Sequence, residues 1–399
     1  MAQVLENKNI VLGVSGGIAA YKSVELLRLL QKQGARVGVI MTENAKWFVG
    51  PTTFEALTGQ PVCSDLFRDK GGNTISHIQW AEQADAVVIA PATANIIAKM
   101  AHGIADDALS TFLLAVTAPV VVCPAMNTHM YDNPATRRNL EILKTDGRYI
   151  VDPASGELAC GATGAGRLPE CEVILDRIVH FLTPKDMTGM HVLVTAGPTR
   201  EPIDPVRFIS NPSTGKMGYA IARAAEYRGA TVTLVTGPTA LEDPPGVTMV
   251  KIETAQEMAQ AVFERMDTAQ IIIKSAAVSD YRPVETAPHK IKKSAAHMTI
   301  ALEKNTDILF ELGRRKTNQI LVGFAAETQS LSENAQAKLS AKNLDMIVGN
   351  LVNQPGTGFG TDTNRVTFFF RDGTREELSE MDKGLVAHTL LDRVLNLSK

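Results

Sequence analysis

One pattern occurs twice in the chain and constrains its fold more than any other feature. Residues 9–14 (NIVLGV) run into a Gly/Ser loop, an apolar-periodic stretch follows over 19–34, and 35–42 (ARVGVIMT) is apolar again. The second copy begins at His191, with 191–196 (HVLVTA), a longer loop, a periodic stretch over 217–230, and then 231–236 (TVTLVT). Short apolar runs bounded by glycine and alternating with helix-length amphipathic stretches mark parallel strands joined by crossover helices. The expected fold class is therefore α/β, with two Rossmann-like domains and mainly parallel sheets. Runs at 86–90 and 120–123 add strands to the first copy, and runs at 270–273, 320–324 and 346–348 add strands to the second. Ligands of open α/β sheets bind outside the carboxyl ends of the strands, so the loops after Val14, Ala90, Cys123, Ala196, Ile273 and Phe324 are the candidate sites. Residues 365–378 predict a hairpin around Asp372-Gly373, and 382–397 a closing helix.

A chain of 399 residues has room for two or three domains of ~150 residues each. Residues 181–189 (FLTPKDMTG) mix Pro, Gly and polar side chains, which places the expected boundary near Thr188 and gives domains 1–188 and 189–399. The net charge is −3 and basic residues cluster only in the short 290–293 run, so no footprint for nucleic-acid backbone binding exists and small molecules are the expected partners. No uncharged apolar run reaches the ~18 residues of a membrane span, and the amino-terminal stretch lacks a leader pattern, so a cytoplasmic protein is expected. All four cysteines (Cys63, Cys123, Cys160 and Cys171) lie in the first half without a CxxC pair, which points to neither a zinc site nor a disulfide framework. No dedicated metal-ligating cluster stands out.

In the first half, Gly13-Val14-Ser15-Gly16-Gly17-Ile18-Ala19 follows a strand and precedes a helix, where backbone N–H groups favour an anion. It is not GxGxxG, and the next strand finishes at Met41-Thr42 without an acidic residue, so a mononucleotide phosphate fits better than a dinucleotide. The same glycines also suit a tight turn on backbone grounds alone. Thr93, Asn95 and Lys99 follow another strand, the last two one helical turn apart and able to face a ligand together. Met126 and Asn127 occupy the loop after the next strand, where Asn127 suits either a ligand contact or a cap. Cys160 lies in a Gly-rich loop over 155–167, unlike Cys123 within a strand, and His77 stands in SHIQW.

The Ser15–Ala19 stretch, His77, Pro124-Ala125-Met126-Asn127 and the Cys160 loop resemble the flavin mononucleotide-containing cysteine decarboxylases. In the second half, Gly197 to Asp204, Asn211-Pro212-Ser213-Thr214-Gly215-Lys216-Met217-Gly218, Ala276 to Tyr281 and Lys290-Ile291-Lys292-Lys293 resemble the phosphopantothenate-cysteine ligases. Together the motifs resemble, over essentially the whole chain, the bifunctional family that fuses the two activities in coenzyme A biosynthesis. The resemblance implies FMN held by Ser15, Gly16, Gly17, Ile18, Thr42, Thr93, Asn95, Lys99 and Met126. It also implies His77 in oxidation and decarboxylation, Asn127 on the substrate carboxylate, and Cys160 as proton donor. For the ligase half it implies CTP with Mg2+, 4′-phosphopantothenate and cysteine as partners, and an acyl-cytidylate. There Lys290 faces the leaving pyrophosphate and Asn211 serves cysteine transfer. Asp280, Asn305, Thr306, Asp307, Ile308, Leu309, Phe324, Lys338 and Lys342 would contact the nucleotide, beside Ser213, Thr214 and Gly215. The family's assembly implies a homo-oligomer, trimeric through the first half and dimeric through the second, making a dodecamer.

Two other readings fit parts of the pattern. A flavin decarboxylase acting on a peptidyl carboxy-terminal cysteine has no use for the Lys290 and Asn211 constellation. A flavin-binding regulatory module would be expected to lack Cys160 or His77, and both are present. The 211–217 stretch lacks the first glycine of a Walker A loop, which disfavours a P-loop ATPase.

Overall fold

A computed structural model describes residues 4–65, 76–157, 161, 163–292, 298–327, 329–351 and 360–397. The chain forms two compact units, Met1–Thr183 and Pro184–Lys399. The polar stretch expected as a linker belongs in part to the second unit. Met187 is fully buried there and its N–H donates to Arg228 O (2.9 Å), while Lys185 Nζ donates to Tyr227 O (2.6 Å).

The first unit contains strands β1 (Asn9–Val14), β2 (Arg36–Met41), β3 (Ala86–Ala92), β4 (Val120–Pro124) and β5 (Tyr149–Ile150), joined in one sheet in the order β2-β1-β3-β4-β5. Every pairing in it is parallel. Each residue of β3 and β4 is buried, which is why their sequences are continuous apolar runs rather than alternating ones. From β1 the chain crosses to β2 on one side and then returns to β3 on the other. This reversal opens a crevice beyond the carboxyl ends of β1 and β3, the geometry of the flavodoxin-like order. The Cys160 region departs from the expected loop, because β6 (Ala154–Glu157) and β7 (Thr163–Arg167) pair as an antiparallel ribbon. Its glycines serve close approach: Gly166 O accepts from Met126 N (2.9 Å), and a Cβ on Gly164 would lie 2.7 Å from the Thr128 side chain.

The second unit adds β8 (His191–Ala196), β9 (Arg200–Pro202), β10 (Phe208–Ser210), β11 (Thr231–Thr236), β12 (Val247–Lys251), β13 (Ile271–Lys274), β14 (Tyr281–Pro283), β15 (Leu302–Lys304), β16 (Ile320–Glu327), β17 (Met346–Leu351), β18 (Thr363–Asn364), β19 (Thr367–Phe370), β20 (Arg375–Glu377) and β21 (Met381–Asp382). Eight of these form one sheet in the order β12-β11-β8-β13-β16-β17-β19-β20. The first six are parallel, and β19 and β20 close the edge as an antiparallel hairpin turning at Gly373, whose φ is +87°. The six parallel strands follow the doubly wound dinucleotide-type order, with the reversal between β8 and β13. Along β8, Val192 and Val194 face a core closed by helices Lys216–Tyr227 and Lys383–Leu397. Leu193 faces the opposite core, shared with helices Ala255–Phe263, Ile308–Arg315 and Leu331–Ala341, so helices cover both faces. Lys342, expected within the last of these, is its C-cap.

Candidate active sites

In the first unit, the Ser15 hydroxyl donates to Pro91 O (2.7 Å) and accepts from Thr93 N (2.9 Å), tying the loop after β1 to the loop after β3 at the crevice. Beside this tie lies a cavity of about 490 Å³ lined by Gly16, Gly17, Ile18, Thr93, Ala94, Met126, Asn127 and the ribbon residues Glu157 and Gly166. Gly16 passes Asn44 so closely that a Cβ would lie 2.7 Å from its carbonyl carbon, so a side chain there would displace the loop. The expected helix opens as a 3-10 turn, Ile18–Tyr21, before Lys22–Lys32. Asn127 both lines the cavity and caps a short helix, its Oδ1 accepting from His129 N (2.8 Å). At the end of β2, Thr42 N donates to Val14 O (3.0 Å), and Thr42 Oγ1 is buried without a hydrogen-bond partner among the described residues. Apolar Ile18, Ala94 and Met126 with this orphaned hydroxyl near the β1 loop fit a flavin: a flat ring system with a polar tail.

Four of the expected cofactor residues lie outside the cavity lining: Ser15 and Thr42, which border it, and Asn95 and Lys99. Asn95 is exposed and outside the cavity lining, and Lys99 pairs with Asp106 and Asp107 (2.8 Å to the latter). Desolvation opposes its charge, but the two carboxylates prevail and hold the amine above its ordinary value. Helical spacing placed both residues on one helix without showing which neighbour the lysine would meet. His77 falls in helix Ser76–Gln83, but its side chain, like all of Cys160, lies outside the described residues. Cys123 is fully buried in β4, and its thiol is pushed well above the usual range by desolvation, so it is unsuited to reaction at neutral pH.

In the second unit a cavity of about 450 Å³ opens at the carboxyl ends of β13 and β16, beside the β8–β13 reversal. Its wall brings together Asn211, Ser213, Thr214, Gly215, Asp280, Asn305, Thr306, Asp307, Ile308, Leu309, Phe324, Lys338 and Lys342, residues that span more than a hundred positions. Asn211 Nδ2 donates to Ala277 O (3.3 Å) and Val278 O (3.1 Å), fastening the loop before helix Lys216–Tyr227 to the loop after β13. Asn305 repeats the device, with Nδ2 on Ser279 O (2.9 Å) and its backbone N–H on Asp280 O (2.8 Å). Ser275 Oγ, Ser279 Oγ and Asn305 Oδ1 are buried without partners among the described residues. Three such orphans around one cavity are what a wall built for a polar ligand leaves when the ligand is not counted. Lys342 pairs with Asp307 (2.7 Å) and Lys338 with Glu327 (2.7 Å). Burial works against the Asp307 carboxylate, yet Lys342 and the Phe310 N–H hold its pKa below the ordinary value.

Lys290 is exposed and outside the cavity wall. Sequence reasoning also missed Lys216, Lys274 and Lys383, which line the cavity. For Lys274 a signal existed, since a charged residue ends an otherwise apolar central strand where ligands collect. No group of three or more His, Cys, Asp or Glu side chains is arranged to hold a metal among the described residues.

A parallel sheet with a flavin-sized crevice, joined to a doubly wound sheet with a polar, lysine-rich cavity, defines a two-site nucleotide-type α/β protein. Residues 2–183 match the flavoprotein family, and residues 187–397 match the DNA/pantothenate metabolism flavoprotein C-terminal domain. The coenzyme A biosynthesis bifunctional protein CoaBC of Bacillus subtilis (strain 168) is 51% identical over 99% of this chain and 98% of its own length. The protein of that name from Escherichia coli (strain K12) is 47% identical over 98% of this chain and 97% of its own. A crystal structure of the C-terminal domain of a CoaBC protein is 45% identical, covers 53% of this chain and 96% of its own, and superposes with a TM-score of 0.46. The chain belongs to the family of bifunctional coenzyme A biosynthesis proteins.

Proposed function

We propose that the second unit joins 4′-phosphopantothenate to cysteine at the expense of CTP, and that the first unit decarboxylates the phosphopantothenoylcysteine so formed to 4′-phosphopantetheine. The observation that carries the reading is the second cavity, where the Asn211–Gly215 stretch, Asp280, Asn305–Leu309, Phe324, Lys338 and Lys342 share one wall. A carboxylate forms an amide only after its oxygen becomes a leaving group. The carboxylate attacks the α-phosphorus of CTP and releases pyrophosphate, and the cysteine amine then attacks the acyl carbon and releases CMP. Asp280 and residues 305–309 hold the nucleoside end, and the lysines offset the phosphate charge. Lys290, in an exposed segment, closes on the leaving pyrophosphate. Asn211 keeps Ser213–Gly215 against the acyl group so that the amine finds it.

In the first unit, Gly16, Gly17, Ile18, Thr42, Thr93 and Met126 hold FMN, with Ser15 fixing their loop. Bound FMN would supply the two-electron oxidation that lets the cysteine carboxylate depart as carbon dioxide and would return the same two electrons to the resulting enethiol, leaving the net reaction redox-neutral. Asn127 orients that carboxylate, His77 supports oxidation and decarboxylation, and Cys160 gives the proton that completes the product. The enzyme works in the cytoplasm as a homo-oligomer of trimeric and dimeric contacts, with Mg2+ carried by CTP. Among the described residues no helix is long and apolar enough to cross a membrane.

The test is mass spectrometry after mixing the purified protein with 4′-phosphopantothenate, cysteine, Mg2+ and either CTP or ATP. Phosphopantetheine with CMP is expected in the CTP tube. Phosphopantothenoylcysteine alone would limit the reading to the ligase half, and no amide in either tube would overturn it.

A further inference from the structure

Among the described residues, three charged side chains line the cavity of the first unit: Lys22, Glu157 and Arg167. Lys22, whose side chain is 10% exposed, pairs with Glu170 (2.8 Å). Glu157 is the last residue of β6, before the stretch of sequence that carries Cys160. Arg167 is the last residue of β7 and stands at the other end of the ribbon, opposite Ala154, whereas Glu157 is opposite Thr163. Its guanidinium has one partner among the described residues, Glu170, reached through Nη2 (2.6 Å), so Nε and Nη1 keep donors to spare. Lys22 first, and Arg167 after it, hold the Glu170 pKa below the ordinary value, so this carboxylate stays charged and ties the guanidinium down.

We propose that Arg167 binds the terminal phosphate of the decarboxylase substrate and so makes the first unit selective for 4′-phosphopantothenoylcysteine over its unphosphorylated form; the assignment rests on the decarboxylase reading above. That substrate carries two anions, the cysteine carboxylate and the phosphate, and the chemistry separates them. The carboxylate loses its charge in the reaction, so a cation held against it would stabilise the ground state more than the transition state. A neutral amide, Asn127, suits that group. The phosphate keeps its charge throughout, and a guanidinium with free donors on two nitrogens matches its oxygens.

The ribbon sets the order in which a substrate meets these groups. Leading away from the Cys160 stretch, β7 first passes Thr128, whose side chain lies 2.7 Å from where a Cβ on Gly164 would be. It then passes the backbone of residues 126–127, where Gly166 O accepts from Met126 N (2.9 Å), and ends at Arg167. A substrate with its thiol end near Cys160 and its carboxylate at Asn127 therefore finds Arg167 further along the same track. Glu157, the carboxylate of the lining, stands at the thiol end, where it disfavours the phosphate. The FMN phosphate is assigned to the backbone N–H groups of the loop after β1, which leaves the guanidinium to the substrate.

Steady-state carbon dioxide release by the full chain, with 4′-phosphopantothenoylcysteine and with pantothenoylcysteine as substrates, tests the assignment. Wild type is expected to favour the phosphorylated substrate in kcat/KM. Arg167→Ala is expected to raise KM for that substrate about tenfold or more. Its kcat should stay near wild type, because the contact is the same in ground and transition states, and pantothenoylcysteine kinetics and bound flavin absorbance should not change. Arg167→Gln, which keeps a donor for Glu170 but no charge, is expected to show the same pattern and carries the test if the alanine variant folds poorly. Arg167→Lys, with the charge but not the fork, should recover part of the loss. A wild type that treats the two substrates alike, an unchanged KM in the uncharged variants, a loss shared equally by both substrates, or a fall in flavin content overturns the assignment. A wild type that releases no carbon dioxide from either substrate overturns the decarboxylase reading itself, a result distinct from all of these.

Discussion

Arg207 holds Asp204 at two points, Nε and Nη2 lying 2.9 and 2.6 Å from Asp204 Oδ2, and the pair together grips Ile291, the residue after Lys290. Arg207 Nη2 donates to Ile291 O (2.8 Å) while Ile291 N donates to the Asp204 carboxylate (3.2 Å). The basic segment, exposed though it is, therefore leaves the body of the unit from a fixed point.

That clamp predicts an acid-dependent stability. Burial disfavours the Asp204 charge, but the Val206 N–H, the Arg207 guanidinium and the Ile291 N–H outweigh it and hold the carboxyl well below the usual carboxylate range. A carboxyl whose folded pKa lies below its unfolded one contributes fully above the unfolded value, about 3.9, and loses that contribution as pH falls toward the folded one. Asp204→Asn is expected to lower the Tm at pH 6, and the gap from wild type should hold down to about pH 4 and then narrow steadily as the melts are carried on toward pH 2. A gap constant with pH would mean that the carboxylate's charge is irrelevant to the clamp.

The crevice of the first unit predicts opposite behaviour for two substitutions at expected cofactor positions. Gly16→Ala puts a methyl group against the Asn44 backbone (carbonyl carbon 2.7 Å, oxygen 2.9 Å), which cannot move aside as a side chain tip would, so the purified protein should lose most of its bound flavin absorbance. Lys99→Ala removes only the pairs with Asp106 and Asp107, and its flavin content should match the wild type. Colourless Lys99→Ala protein that is still folded would return Lys99 to the cofactor.

A third prediction separates the two half-reactions. Cys160→Ser should leave amide formation at its normal rate and stop the decarboxylase before its last proton transfer. The expected product is then an oxidised enethiol, two mass units lighter than phosphopantetheine, seen by mass spectrometry. Phosphopantetheine formed at the wild-type rate would remove Cys160 from the chemistry.

Much of this was legible in the sequence because strands buried on both faces cannot alternate. Runs such as AVVIA at 86–90 and HVLVTA at 191–196 declare parallel strands, and parallel strands place their ligand loops at one edge. What stayed hidden depends on partners distant in sequence. Nothing in the spacing of Asn95 and Lys99 shows that Asp106 and Asp107 stand opposite the lysine. The glycines around Cys160 read as a loop, since their use in carrying a ribbon across Met126 and Thr128 depends on a contact made nearly forty residues away. Met187 sits in a stretch polar enough to pass for a linker, yet one apolar side chain and a bond to Arg228 bind it to the second unit.

Asn211 gives the last prediction. Its amide nitrogen donates to both Ala277 O and Val278 O, a bridge that only a donor can make. In Asn211→Asp the bridge becomes a carboxylate facing two carbonyl oxygens, and the 211–215 stretch must withdraw from the loop after β13. Residues 305–309 and the lysines of the nucleotide side are untouched, so CTP should still be consumed and pyrophosphate released. Transfer to cysteine needs the acyl group in register with the incoming amine, and a displacement of about 1 Å costs on the order of 10²-fold. Expected, then, is an acyl-cytidylate that accumulates in single-turnover quenches while the amide yield falls by about that factor. Asn211→Ser, a shorter donor, should recover part of the yield. Normal amide formation in the aspartate variant would show that the bridge holds the loops without serving the transfer.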